Sequence, residues 1–332
     1  MRIWIDIITP SQVHLFRTLI PELKNNQLLI TSTQFAETTQ LLKNFNMNSY
    51  IIGSHITSKG LYKNIKILWR LINLFFKVQS FDISLSFQNF YVPIITKMRM
   101  KKNITLLDND IPSFDFKTIL KFSDYIIIPE AIPLKKINKF IKNSTKIYRF
   151  QGYKENIYIS NYTPDKNFLN QIPFREYVVV RPEALFAIYI KNKQSIVPKL
   201  ISLLVEKKFN VIYLPRTQED LKFVAEKSVY IPEKTLNGLD LCWYSQAVLT
   251  GSGTLAREAA CMGVPAVSFF PEKLLSVDEE LVKEGKIFHS RNVEEIVDYI
   301  SKFKNKKISF FNKSKRIKSE VVNLINEILN EI

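Results

Sequence analysis

A glycine-containing turn near residue 251 carries the strongest chemical signal in the sequence. Ala247–Thr250 has the apolar composition of a strand, Gly251-Ser252-Gly253-Thr254 follows it, and a helical pattern begins at Leu255. Glycine lets a backbone turn tightly and approach a ligand, while the first amides of a helix present positive partial charge. We therefore expect this turn to bind phosphate, with the Ser252 and Thr254 hydroxyls as further donors.

The residues after the turn extend the pattern. Glu258 follows Thr254 by one helical turn, where its carboxylate is placed to accept hydrogen bonds from a ribose diol. Gly263-Val264-Pro265 then ends the helix and leads into another apolar strand. The turn matches neither the GxxxxGK[ST] nor the GxGxxG phosphate-binding pattern. The alternative is a tight strand–helix turn that binds no ligand.

Two arginines upstream also follow strand-like runs. Arg181 follows Tyr177–Val180, and Arg216 follows Val211–Leu214. Two guanidinium groups at strand ends suit a pyrophosphate, because each can donate to two oxygens. We expect Glu183 to pair with Arg181 and orient it. The alternative is that both arginines are structural residues at a domain seam.

Candidate acids and bases lie in the first half of the chain. His14 follows the first predicted strand and is a candidate general base. Asp108 and Asp110 follow the fifth, where one carboxylate could deprotonate an acceptor hydroxyl. The alternatives are a packing histidine on a helix and two carboxylates that cap the next turn.

These candidates share one position, the end of a short apolar run, and such runs alternate with helical patterns through the whole chain. Alternating buried strands and helices predict parallel sheets covered on both faces, and ligands of such sheets bind beyond the carboxyl ends of the strands. The predicted strands are Ile3–Ile8, Leu28–Thr31, Tyr50–Ile52, Ile83–Phe87, Ile104–Leu107, Tyr125–Ile128, Tyr177–Val180, Val211–Leu214, Val229–Ile231, Ala247–Leu249, Ala266–Phe269 and Ile287–Phe288. The predicted helices are 12–24, 35–45, 61–79, 88–100, 115–122, 195–207, 218–226, 236–244, 254–261, 273–284 and 292–303.

This rhythm predicts an α/β protein with two Rossmann-like domains and a cleft between them. The first domain is expected at 1–155 and the second at 170–303, with the boundary in the polar stretch 150–175. A helical tail at 304–332 has a basic first part, Lys304 to Lys318, and then an apolar stripe. We expect this tail to pack back on the N-terminal domain.

The amino-acid composition indicates a globular protein and argues against a secreted one. The chain has 332 residues, of which 46% are apolar and 23% charged, as in globular proteins. Two cysteines without a CxxC pair, and Asp6 interrupting the first apolar run, predict a cytoplasmic protein rather than a secreted one. Three histidines leave little room for a histidine-rich metal site, so no metal is expected.

Positive charge is concentrated in the first half. Residues 1–150 carry 21 Lys or Arg against 9 Asp or Glu, whereas residues 151–301 carry 18 against 19. A basic N-terminal half predicts an anionic partner; the alternative is the lysine bias of an AT-rich genome. The helix 61–79 and the run 97–102 mix apolar and cationic residues, which suits peripheral contact with the inner face of a membrane holding a lipid-linked acceptor. An ordinary covering helix is the alternative, and no nucleic-acid-binding motif is present.

The motif Gly-x-Gly-Thr-x-x-x-Glu-Ala-x-x-x-Gly-x-Pro at residues 251–265 resembles the donor-nucleotide motif of GT-B glycosyltransferases and of UDP-N-acetylglucosamine 2-epimerases. Over nearly its full length the chain is similar to an archaeal group known as domain of unknown function 354. That resemblance rests on residues 3–7 with 13–17, 180–184, 251–265 with 270–271, and 288–290. The family commonly has histidine where this chain has Gln12 and Ile111.

The resemblance implies a GT-B-like fold and leaves the reaction open. Our leading hypothesis is a metal-independent glycosyltransferase that needs no cofactor and uses a nucleotide-diphosphate sugar as substrate. The second domain is expected to bind the donor sugar nucleotide, and the basic first domain a glycan or lipid-linked acceptor. One alternative is a UDP-N-acetylglucosamine 2-epimerase-like enzyme. Another is a nucleotide-sugar-binding protein without catalysis.

Overall fold

The computed structural model describes residues 1–54, 61–185, 190–191, 193–224, 229–303 and 311–332. The chain divides into two compact units. The first comprises Met1–Tyr158 and Arg316–Ile332, and the second comprises Ile159–Lys315. The division after Tyr158 falls inside the stretch 150–175 where the sequence changes composition.

The first unit is built on a seven-stranded parallel sheet with the order β3-β2-β1-β4-β5-β6-β7. Its strands are β1 (Arg2–Ile7), β2 (Gln27–Gln34), β3 (Tyr50–Ser54), β4 (Ile83–Phe87), β5 (Lys102–Leu106), β6 (Tyr125–Pro129) and β7 (Lys146–Phe150). Its helices are α1 (Pro10–Leu19), α2 (Ala36–Asn44), α3 (Leu61–Lys77), α4 (Tyr91–Met98), α5 (Phe114–Phe122), α6 (Leu134–Ile137) and α7 (Lys154–Ile159). The strand order reverses between β1 and β4, because β2 and β3 lie on one side of β1 and the later strands on the other.

The second unit has a five-stranded parallel sheet with the order β12-β11-β10-β8-β9. Its strands are β8 (Val178–Arg181), β9 (Val211–Tyr213), β10 (Ala247–Thr250), β11 (Ala266–Ser268) and β12 (Ile287–His289). Its helices are α8 (Val197–Glu206), α9 (Gly238–Tyr244), α10 (Gly253–Met262), α11 (Ser276–Lys283) and α12 (Val293–Ser301). Here the order reverses between β8 and β10.

Central strands are buried on both faces, which explains their near-continuous apolar sequences. All five residues of β4 and of β6 are buried, as are all four of β10. Helices cover both faces of such sheets, so each unit is a Rossmann-like layer structure. The predicted α/β class with two parallel sheets is confirmed, while the predicted cleft between the domains stays a prediction.

The last helix, α13 (Phe311–Asn330), completes the core of the first unit. Ile317 packs so closely on the backbone that a Cβ added at Gly152 would lie 2.5 Å from its Cδ1. Lys318 Nζ lies 2.7 Å from Glu22 Oε1 and strengthens the attachment. Six apolar side chains of this helix join the core of the first unit: Ile317, Val321, Val322, Ile325, Ile328 and Leu329.

Some predicted elements differ from the structure. The strand β7 was not predicted, because Lys146 and Arg149 interrupt its apolar pattern. The predicted strand Val229–Ile231 is wrong, since Tyr230 forms only an isolated bridge with Ile212. The predicted helix 218–226 begins as a 3-10 helix over Gln218–Phe223; its residues 225–226 and the basic segment 304–310 lie outside the described residues.

None of the helices that the structure describes combines the length and the apolar composition required to cross a lipid bilayer.

Candidate functional site

Gln12 joins the two strands at which the order of the first sheet reverses. Its Oε1 accepts hydrogen bonds from the Ile8 and Thr9 amides at 2.6 and 3.1 Å, at the carboxyl end of β1. Its Nε2 donates to the Phe87 carbonyl at 2.7 Å, at the end of β4. This amide is 2% exposed and both of its ends bind backbone, so it fixes the turn and has no geometry for acid–base work.

Asp108 belongs to a buried charged cluster beyond the ends of β4, β5 and β7. Its Oδ1 accepts a hydrogen bond from Gln88 Nε2 at 2.5 Å, and its Oδ2 lies 2.9 Å from Lys154 Nζ. The same ammonium lies 2.5 Å from Glu155 Oε1. Asp108, Lys154 and Glu155 are all at least 95% buried. Lys154 therefore links the Asp108 and Glu155 carboxylates inside the first unit.

Asp110 forms an ion pair with a different lysine. Its Oδ2 lies 2.5 Å from Nζ of Lys136, which belongs to α6 after the sixth strand. The carboxylate is almost fully buried, whereas the lysine is 30% exposed. The described ion pairs of Asp108 and Asp110 thus involve two different lysines, Lys154 and Lys136.

His14 lies in the second turn of α1 among aromatic rings. Its ring centroid is 5.9 Å from that of Phe45 and 6.0 Å from that of Tyr158. Burial, with a smaller contribution from Arg17, lowers the pKa of His14 from its ordinary value of 6.5. Among the described contacts, none joins the imidazole to Asp108 or Asp110. The structure therefore brings the three predicted bases to one unit without joining them to one another.

We expect His14 to titrate below pH 6.5, which NMR of the imidazole resonances can measure. The unfolded chain then binds more protons than the folded one just below pH 6.5, so the free energy of unfolding rises with pH in that window. His14→Gln should remove one titrating signal and thereby assign it. Arg17→Gln should raise the midpoint, because it removes a like charge. A His14 midpoint at or above about 6.5 would contradict the burial of this ring.

The sheet of the second unit brings Arg181 beside the glycine turn. Arg181 ends β8 and is in register with Thr250, the last residue of β10. The Gly251 amide donates to the Arg181 carbonyl at 3.1 Å. Within the part of the chain that the structure describes, the buried Arg181 Nε has no hydrogen-bond partner. An unsatisfied buried donor is costly, and here it lies where the strand order reverses.

Both glycines of the turn are required by the packing of the protein. A Cβ at Gly251 would lie 2.6 Å from Glu183 Cα, and one at Gly253 would lie 2.8 Å from Arg257 Nη1. Arg257 forms a buried ion pair with Asp278, at 2.8 Å, beside the first turn of α10. The protein itself therefore fills the space where a Cβ would lie at Gly251 and Gly253, which is a packing reason for glycine at both positions. That the turn approaches a ligand stays a prediction.

The backbone amides at the start of α10 are more accessible than the Cβ positions of the two glycines. The Ser252 amide donates to Thr250 Oγ1 at 3.0 Å, and the Ser252 side chain makes no capping hydrogen bond to α10. Ser252, Gly253 and Thr254 are partly exposed. The first amides of α10 consequently keep the donor capacity of a helix N-terminus.

Glu258 and Arg181 both lie near the buried thiol of Cys242 and change its pKa in opposite directions. Burial raises the pKa of the Cys242 thiol well above its ordinary value, Glu258 raises it further, and Arg181 lowers it. Both charges therefore lie close to Cys242 in α9. Glu258 is partly exposed and follows Thr254 by one turn of α10. The structure thus gathers Arg181, Thr254 and Glu258 around the ends of β8 and β10.

Arg216 lies beside the segment that follows Arg181. Its Nε donates to the Pro182 carbonyl at 2.9 Å, and its amide donates to Asp220 Oδ2 at 2.8 Å. Arg181 ends β8 and Arg216 follows the adjacent strand β9, so both arginines lie at the same edge of the sheet. The Nε–H group of Arg216 is nevertheless already hydrogen-bonded to the backbone.

The predicted pairing of Glu183 with Arg181 is wrong. The Glu183 carboxylate is fully buried and accepts hydrogen bonds from Ser195 Oγ at 2.7 Å and Arg291 Nη1 at 3.0 Å. Arg291 also donates to the Phe269 carbonyl at 2.7 Å. Glu183 therefore ties β8 to the start of α8 and the segment after β12, and leaves Arg181 unpaired by it.

Sequence reasoning missed Lys154 and Glu155. Both follow β7, and residues after each predicted strand were the ones selected as candidates. Ile147, Tyr148 and Phe150 are residues that favour a strand, but Lys146 and Arg149 interrupt the apolar run, so the segment does not stand out in the sequence.

No group of three or more His, Cys, Asp or Glu residues suited to a metal ion occurs within the described ranges.

Comparison with protein families gives the decisive relation. The family described as "Protein of unknown function (DUF354)" matches residues 1–330. The chain belongs to this family. Among curated relatives, the uncharacterized protein MJ0665 of Methanocaldococcus jannaschii is 25% identical over 312 residues, which is 90% of both chains. The resemblance that the motifs carry is thereby confirmed over nearly the whole DUF354 chain.

Solved structures show the same fold. The UDP-GlcNAc 2-epimerase of Methanocaldococcus jannaschii has a TM-score of 0.72 at 17% identity, covering 98% of this chain and 100% of its own. The Neisseria meningitidis UDP-GlcNAc 2-epimerase bound to UDP-GlcNAc has a TM-score of 0.70 at 14% identity, with full coverage of both. Anabaena HepE in complex with UDP and glucose has a TM-score of 0.66 at 11% identity, again with full coverage. The GT-B-like fold of this DUF354 protein is confirmed.

Proposed function

We propose that the second unit binds the diphosphate of a nucleotide sugar beyond the ends of β8 and β10. Arg181 carries the proposal, because its buried Nε has no partner among the described residues and it is in register with Thr250. The first amides of α10 supply further donors for the same anion. Two proteins of the same fold, bound to UDP-GlcNAc and to UDP with glucose, support the choice of ligand.

We propose glycosyl transfer as the reaction. The sugar moves from the nucleotide diphosphate to an acceptor hydroxyl, the glycosidic oxygen leaves with the diphosphate, and the hydroxyl proton passes to a base. Arg181 and Arg216 would stabilise the charge that develops on the departing diphosphate, without a metal ion. Glu258 would bind the ribose, and the first unit would supply the base from Asp108, Asp110 or His14.

Among these three, Asp108 is the strongest candidate for the base. Its contacts with Lys154 and Gln88 fix the orientation of the carboxylate, as a general base requires. Asp110 also pairs with a lysine, Lys136, but that lysine is 30% exposed, whereas Lys154 is buried beside Asp108. The His14 ring packs on Phe45 and Tyr158.

A 2-epimerase activity on a UDP-linked sugar is the second candidate function, because proteins with this fold include the UDP-GlcNAc 2-epimerases of Methanocaldococcus jannaschii and Neisseria meningitidis. The two reactions differ at the sugar. Inversion at C2 breaks the C2–H bond, so in D₂O it leaves deuterium at C2. Transfer to an acceptor releases UDP and leaves that bond intact. Mass spectrometry of the sugar after incubation in D₂O separates them.

We expect UDP and UDP-sugars to raise the thermal unfolding midpoint of the protein. At about 100 times the Kd, a ligand that binds only the folded state adds about 2.7 kcal/mol, or a rise of about 5 °C or more. Arg181→Met should weaken binding by about tenfold or more, because it removes charge-assisted hydrogen bonds to the diphosphate. Calorimetric titration with UDP measures that loss.

Arg175→Met is the matched control, since Arg175 is an exposed arginine in the same unit. It should leave UDP binding unchanged. If UDP and its sugars leave the parent midpoint where it is, or if both variants bind UDP like the parent, the proposed diphosphate site is wrong.

A further inference from the structure

The outer face of α3 exposes large apolar side chains along its length. They recur at spacings of three and four residues, so at 3.6 residues per turn they form a single stripe about 120° wide. Phe76 is 76% exposed, and the least exposed of them, Ile72, is still 48% exposed. The stripe consists of Tyr62, Ile65, Leu68, Trp69, Ile72 and Phe76. Continuous apolar surface of this extent is unusual on a protein that has no partner there.

The opposite face of α3 already packs on the first unit. Arg70 lies on that face and binds both carboxylate oxygens of Asp6 at 3.0 Å and the Ile52 carbonyl at 3.1 Å. Leu74 and Val78 on the same side are buried. The helix is therefore fixed with its outer stripe directed away from the sheet. The side chains of that stripe take no part in the packing of the core.

Two methionines extend the apolar surface at the carboxyl end of α3. Arg99, just after α4, donates to the Val78 carbonyl at 2.7 Å and to the Gln79 carbonyl at 3.1 Å. These bonds hold its neighbours Met98 and Met100 beside α3, and they are 58% and 92% exposed. We call the stripe together with these two methionines the α3 surface.

The two segments that form the α3 surface contain basic residues but no acidic ones. Residues 61–77 contain no Asp or Glu, and neither does the run 97–102. Five exposed lysines lie in these segments: Lys63, Lys77, Lys97, Lys101 and Lys102. Apolar and aromatic side chains with a lysine margin match a membrane interface, where rings enter the headgroup region and lysines meet anionic lipids.

We propose that the α3 surface binds an anionic lipid membrane. Charge favours this partner over a second copy of the chain, because a two-fold contact through α3 would bring the same lysines together. Trp69, Ile65 and Phe76 would enter the headgroup region, and the lysines beside Met98 and Met100 would bind anionic headgroups. The proposal is independent of the reaction proposed above.

Vesicle sedimentation tests it with the full chain. We expect binding to vesicles of phosphatidylcholine with phosphatidylglycerol, and much less binding to pure phosphatidylcholine. The triple variant Ile65→Ser, Trp69→Ser, Phe76→Ser should lose binding. The triple variant Lys97→Gln, Lys101→Gln, Lys102→Gln should bind anionic vesicles about 100-fold more weakly, because each lysine near an anionic surface contributes about fivefold.

Both variants change exposed side chains, so their thermal midpoints should stay near that of the parent and a loss of binding would not reflect unfolding. Trp69 emission should shift to shorter wavelength with anionic vesicles, and Trp69→Phe should abolish the shift. Equal binding by the serine variant and the parent, or no binding of the parent to anionic vesicles, would overturn the proposal. A parent dimer that the serine variant converts to a monomer would also overturn it and assign the surface to self-association.

Discussion

Replacing Asp6 with alanine is expected to destabilise the first unit by about 3–5 kcal/mol, since it leaves a buried arginine without its counter-ion. Asp6 is fully buried in β1, and Arg70 is 3% exposed. Thr31 Oγ1 and Asn89 Nδ2 also donate to the carboxylate, at 2.7 and 2.8 Å. Alanine therefore removes the acceptor of three side chains at once.

Trp4 reports this change directly, because its Nε1 donates to Thr31 Oγ1 at 2.9 Å. Urea unfolding followed by Trp4 fluorescence, with Trp69 and Trp243 replaced by phenylalanine, measures the free energy of unfolding of the first unit. Asp82→Ala is the control, because Asp82 is exposed and should cost less than about 1 kcal/mol.

The double variant Asp6→Asn, Arg70→Met tests the mechanism. It removes both charges, so its cost in unfolding free energy should be smaller than the summed costs of the single variants Asp6→Asn and Arg70→Met. A loss below about 1 kcal/mol for Asp6→Ala would show that the buried ion pair does not contribute to folding.

Ending the chain after Lys315 is expected to unfold the first unit. The six apolar side chains that α13 buries there contribute about 1.5–3 kcal/mol each. That total is comparable to the whole stability of a domain, about 5–15 kcal/mol. Limited proteolysis should then cleave the first unit rapidly, and Trp4 fluorescence should lose its native emission.

Single substitutions provide the graded version of this experiment. Ile325→Ala creates a cavity in the core and should cost about 2–5 kcal/mol, whereas Asn323→Ala changes an exposed residue of the same helix. A truncated chain with a protease-resistant first unit would mean that α13 only covers that unit.

The fold was largely predictable from hydrophobic patterning. Central strands such as β4 and β6 are buried on both faces, so their sequences are continuous apolar runs that few other structures produce. Patterning failed at the edge of the sheet. β7 is a partly exposed edge strand with Lys146 and Arg149 in it, and its membership in the sheet depends on pairing with β6 rather than on its composition.

The sequence predicted which residues lie at the candidate site better than it predicted which partners they bind. The rule that ligands bind beyond strand ends selected Arg181, Arg216 and the turn at Gly251, which the structure gathers at adjacent strands. The partners of Glu183 were not predictable, because Ser195 and Arg291 are distant in sequence. Asp108 was selected without Lys154 for the same reason.

The position of α13 has a consequence for synthesis on the ribosome. The first unit emerges early, yet Arg316–Ile332, which completes it, is translated only after the whole of Ile159–Lys315. At 5–20 residues per second that interval is roughly 10–30 s, during which a nascent apolar face stays uncovered. The second unit can therefore fold before the first. During that interval, the apolar surface that α13 later covers is accessible to a chaperone on the nascent chain.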